Sequence, residues 1–185
     1  MQMRRIESFL EELKNQFDSM QCAPQYNEEE FLDLVVSAID LAAKTRHKEK
    51  HNIYASIVYH HVNENIELEE SEAALKLISE LDPAHFRILH FANTAPINRE
   101  AFSGLQVFTI SRNGGEISKA LSIPCIETAL PQYSSHIVTS ACSYLVARGL
   151  LLDEGTGRWG AGAMEIMAVS ETARWLESWL VNSNP

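Results

Sequence analysis

The chain has 185 residues, 45% of them hydrophobic and 22% charged, with only three cysteines. Three thiols cannot all pair, so a secreted disulfide scaffold is excluded, and no run approaches the roughly 18 uncharged apolar residues of a membrane span. Lys and Arg number 15 against 25 Asp and Glu, a net of −10, so the chain as a whole is not a generic polycation for nucleic acid or anionic lipid.

Met3, Ile6, Phe9, Leu10, Leu13, Phe17 and Met20 recur at steps of three or four, which predicts a first helix with one apolar stripe. Arg4 and Arg5 are followed by Glu7, Glu11 and Glu12 rather than an uncharged apolar stretch, so no secretory signal is read and a bacterial cytoplasmic address is expected. After Cys22-Ala23-Pro24, Asn27 is placed to cap a second helix whose first turn is Glu28, Glu29 and Glu30. Its body, Phe31 to Ala43, is apolar on more than one face, which predicts a central position. A third helix is expected from Thr45 through Val62, basic at its start and apolar later, and a fourth from Glu69 to Leu81. Residues 1–79 carry 8 basic and 15 acidic side chains and residues 80–185 carry 7 and 10, so the acidity sits in the helical half and favours partners other than nucleic acid there.

Asp82 and Pro83 signal a helix start, an Asp at the cap and a Pro at the first turn, and the helix ends before Pro96. Leu105 to Ile110 is an apolar stretch compatible with a short strand. The Asn113-Gly114-Gly115 turn precedes two short helical pieces, Glu116 to Ser122 and Ile126 to Leu130, closed by Pro124 and Pro131. Ser134 or Ser135 then caps a longer helix, His136 to Arg148, stopped by Gly149. Leu150 to Leu152, a Gly-rich tip at 153–160 and Met164 to Val169 read as a β-hairpin, and Ser170 caps a last helix, Glu171 to Leu180.

This element order, with Leu145-Val146-Ala147-Arg148-Gly149-Leu150-Leu151, resembles bacterial winged helix-turn-helix regulators of the broad type that includes the multiple-antibiotic-resistance repressors, over residues 81–180. The first half, through Lys48-Glu49-Lys50 and Leu77 to Pro83, is similar to uncharacterised bacterial proteins carried on mobile elements. The expectation is a mainly α protein: a helical unit of about four helices at 1–80 and a winged helix-turn-helix at 81–185 with a two-stranded β-wing.

The resemblance implies a non-enzymatic regulator of transcription, with DNA as its target. The alternative is a protein-protein interaction module of a mobile-element or phage-resistance system. Stepping 100° per residue, Val138, Ala141, Cys142 and Leu145 form the buried stripe of the candidate recognition helix, and His136, Ser140, Ser143 and Ala147 lie opposite, flanked by Thr139 and Tyr144. Candidate nucleic-acid contacts are Ser134, Ser135, His136, Thr139, Ser140 and Ser143, with Arg112, Lys119, Arg148 and the wing-tip Arg158 as the nearby cations. The exposed face itself holds no Lys or Arg, so phosphate contacts would be few.

Gly155, Gly157 and Gly160 satisfy G-x-G-x-x-G but lead into a strand rather than a helix, so no dinucleotide is expected. His47 and His51 are four apart, yet the segment lacks the H-E-x-x-H glutamate, and neither metal nor cofactor is assigned. Trp175, Leu176, Trp179 and Leu180 crowd the last helix, which with the apolar first helix suggests a homodimer through the terminal helices.

Overall fold

A computed structural model describes residues 2–18, 26–98, 101–111, 119–158 and 161–181. The chain is mainly helical and divides into two compact units, Met1–Leu81 together with Ser178–Pro185, and Asp82–Glu177. Among the described residues no helix is long and apolar enough to cross a membrane.

The first unit is built from α1 (Gln2–Asp18), α2 (Glu28–Lys44), α3 (Lys48–Glu64) and α4 (Leu68–Glu80). Asn27 caps α2 by accepting the Glu29 amide at 3.0 Å, as its spacing predicts. The central helix is α3, not α2. It packs against α1, α2 and α4 and buries eleven residues, among them Tyr54, Ile57, Val58 and also Lys50, His51, His60 and His61. The polar residues of α3 can be buried because they have work at neighbouring backbones and side chains. Lys50 Nζ donates to the Ser79 carbonyl at 2.7 Å, one of the last in α4, where a helix leaves carbonyls without intrahelical donors. His61 Nδ1 lies 3.1 Å from Ser71 Oγ, and His60 Nδ1 lies 2.6 Å from Glu64 Oε1. Arg5 of α1 treats the end of α2 likewise, donating to the Ala43 carbonyl at 3.0 Å. On α2 itself only Leu34, Ala38 and Ala42 are buried, while Leu32 and Val36 are exposed.

The second unit opens with α5 (Pro83–Thr94). Its first turn is held where His85 Nδ1 accepts the Asp82 amide at 2.8 Å. The two-residue strand β1 (Ile97–Asn98) and β2 (Leu105–Thr109) follow, then the one-turn helix α6 (Ile126–Ala129), α7 (Ser135–Ala147), β3 (Leu151–Asp153), β4 (Ile166–Val169) and α8 (Glu171–Val181). The sheet order is β1-β2-β4-β3 with antiparallel neighbours, and the registers place Phe108 opposite Met167 and Leu152 opposite Ala168. The expected two-stranded wing is thus corrected. The hairpin β3–β4 is the edge of a larger sheet, because β2 takes the other side of β4. As an inner strand β4 buries all four side chains, which explains its unbroken apolar run. Ile166 and Ala168 join Phe102, Val107 and Ile123 in one apolar cluster, and Phe91 of α5 meets Phe108 edge to face at 5.7 Å.

The second strand of the hairpin starts at Ile166 rather than Met164. Met164 takes a left-handed φ of 60°, and the Glu165 amide turns back to the Gly162 carbonyl at 3.2 Å. Gly149, at φ 70°, ends α7 as its position predicts, with the Leu150 amide bonded to the Leu145 carbonyl at 2.9 Å. Of the residues assigned to a dimer on the last helix, Leu176 and Trp179 are buried and Trp175 is half-buried, while the Leu180 side chain lies outside the described residues. Trp179 meets the His60 ring at 6.1 Å.

Candidate nucleic-acid interface

Of the two serines able to cap α7, the structure uses Ser134, whose Oγ accepts the Ile137 amide at 3.5 Å. The cap sets the helix phase. Val138, Ala141, Cys142 and Leu145 face inward, and burial pushes the Cys142 thiol up to about 12, so it is an inert packing group. Ser134, Ser135, His136, Thr139, Ser140 and Ser143 are all exposed and share one helix. Ser143 Oγ donates back to the Thr139 carbonyl at 2.9 Å, which leaves its lone pairs outward.

Arg148, at the C-terminal end of α7, is exposed with its guanidinium 5.3 Å from the centre of the Tyr144 ring. Tyr144 in turn stacks on His85 at 4.7 Å, so the end of α7 is fastened to α5 through a cation and two rings. Lys119 is exposed. Arg112 lies outside the described residues, as do Trp159 and Gly160 of the hairpin tip.

Arg158 is half-buried and engaged within its own unit. Its guanidinium pairs with Glu154 Oε2 at 2.7 Å, donates to the Ala101 carbonyl at 3.1 Å and lies 4.3 Å from the centre of the Phe102 ring. It is a packing cation within the unit rather than an outstretched wing-tip contact. The same connection is braced by Asp153, whose carboxylate accepts the amides of Gly155, Thr156 and Met164 and the Thr156 hydroxyl. Desolvation raises the Asp153 pKa, but these four hydrogen bonds outweigh it and hold the carboxyl below its ordinary value. Gly155 is required for close approach, since a Cβ there would lie 2.3 Å from the Gly162 carbonyl oxygen.

Two features escape residue-by-residue reading of the sequence: Ile137 and Leu152 are apolar and 49% and 41% exposed, on α7 and β3. Their helical or strand phase could have shown them pointing outward, had the phase of the cap been known. The histidines do not gather. His47 is exposed at the start of α3 while His51 is buried, and no group of three metal-ligating side chains occurs among the described residues.

Comparison with protein families, with curated proteins and with solved structures finds no match to this chain.

Proposed function

We propose that the chain is a non-enzymatic regulator that recognises a DNA site through residues 134–148 and the β3–β4 hairpin, as a winged helix-turn-helix. The observation that carries this reading is the uninterrupted exposed face of α7, five hydroxyls and an imidazole on one rigid helix directly before a hairpin. The order α5, β2, α6, α7, β3, β4, with β4 between β2 and β3, supports it. Hydroxyls and imidazole reach phosphates and base edges alike, while the stack of Arg148 on Tyr144 keeps one cation at the helix end.

A second reading has its own support. Ile137 and Leu152 are apolar and uncovered on α7 and β3, which suits a protein partner. Retention of mixed genomic fragments by the full chain separates the two. The DNA reading expects retention at about 50 mM salt, with a shallow loss on raising salt because phosphate contacts are few. Arg148→Ala should lower the salt slope by about 1, and Ser140→Ala should shift which fragments are kept. Absence of retention at about 50 mM salt removes the DNA reading and leaves the protein partner.

A further inference from the structure

Helix α2 presents an outer face that its own fold does not need. Leu32 and Val36, one turn apart, are 59% and 64% exposed, although the buried side of the helix is already supplied by Leu34, Ala38 and Ala42. Val is a weaker helix former than Ala, Lys or Glu, so a solvated helix position gains nothing from Val36. Half-buried Val35 and Ile39 border the pair on one side, and by helical phase Glu29, Asp33 and Asp40 border it on the other. Lys44 pairs with Asp40, while Glu29 and Asp33 have no ion pair among the described residues. The result is an apolar ridge with one acidic edge.

We propose that this face docks an amphipathic helix of another protein that carries Lys or Arg along one edge of its apolar stripe. The apolar ridge supplies contact area, and the unpaired acids select for a cationic edge and against an acidic one. A second copy is the poorer occupant, because a two-fold pairing of this face brings the same acidic edge to the interface twice. The inference concerns the first unit and does not depend on the DNA reading.

The test uses the full chain, isotope-labelled, and two synthetic helical peptides of about 18 residues with the same leucine stripe, one edged with Lys and one with Glu. The Lys-edged peptide should bind with amide shifts confined to residues 28–44. Its affinity should fall about tenfold or more in Leu32→Ser/Val36→Ser and about threefold in Asp33→Asn. The Glu-edged peptide should bind at least about tenfold more weakly. Fragment retention should be unchanged in the double variant. Equal binding of the two peptides, no binding, shifts outside α2, or a dimer dissolved by Leu32→Ser/Val36→Ser would each overturn the proposal, the last by giving the face to a second copy.

Discussion

The two units handle their polar residues in opposite ways. The first buries Lys50, His51, Ser56, His60, His61 and Ser71, and uses Lys50 and His61 to tie α3 to its neighbour. In the second, the buried polar residues among those described are His85, Thr109 and Ser170, of which His85 and Ser170 hold helix starts. Five further hydroxyls, those of Ser134, Ser135, Thr139, Ser140 and Ser143, are turned outward at α7. A helix bundle with similar apolar stripes has several nearly equivalent packings, and donors that must meet particular carbonyls reduce that choice. The second unit obtains its specificity from strand register instead, which leaves the surface of α7 free to vary with a target.

The largest effect that would sharpen this contrast is in the apolar interior of the second unit. Leu145→Ala, at a fully buried position, should cost about 2–5 kcal/mol in urea unfolding, and hydrogen exchange should show the loss in residues 82–177 first. Lys50→Met keeps the aliphatic stem but leaves the Ser79 carbonyl without this donor, so the first unit should lose about 1–3 kcal/mol. An unchanged stability in Lys50→Met would show that the bundle does not rely on its buried cation.

Acid should act on the two units with opposite sign. Burial lowers the His51 pKa, an effect that a hydrogen bond to the Ala42 carbonyl only partly offsets. A histidine whose folded pKa is depressed contributes its full stability above its unfolded pKa of 6.5 and loses it as pH falls from there, so the first unit should weaken as pH falls below about 6.5. Glu177 has a raised pKa, from desolvation that outweighs His90, 3.9 Å away, and a hydrogen bond from Asn93. Its folded form therefore gains stability as pH falls toward the unfolded value of 4.5. Hydrogen exchange measured across that range should show amides of residues 48–64 opening while those around 171–177 do not, and His51→Phe should flatten the first response. The smallest expected effect is Ser143→Ala. The hydroxyl is exposed and bonded only within its helix, so stability should move by less than about 0.5 kcal/mol, whatever happens to binding.

Local signals in the sequence were reliable where the physics is local. Asn27, Asp82-Pro83, Ser134 and Gly149 each mark a helix end through hydrogen bonds that span five residues or fewer, and the inward stripe of α7 follows from its phase. Where the deciding contact is distant, the reading failed. The pairing of β2 with β4 joins segments some sixty residues apart, so the hairpin looked like a free two-stranded wing. Arg158 looked like an exposed tip because its partners at Ala101 and Phe102 come from across the unit. The central place of α3 was hidden because Lys50 and the histidines read as solvated until the Ser79 carbonyl and Ser71 are brought to them. The composition of α2 pointed inward for the converse reason, since only three of its ten apolar residues are buried and Leu32 and Val36 face out. Among the candidate contacts, the serines, His136 and Thr139 were readable from helical phase, whereas the states of Arg148 and Arg158 were not.

The account rests on α7 and its hairpin being the recognition surface, and hydrogen exchange of the full chain with and without mixed-sequence DNA at about 50 mM salt tests that directly. The prediction is slowed exchange across residues 134–148 and 151–169, with α2 unchanged. Protection that appears on the first unit, or DNA that changes no amide of α7, would contradict it.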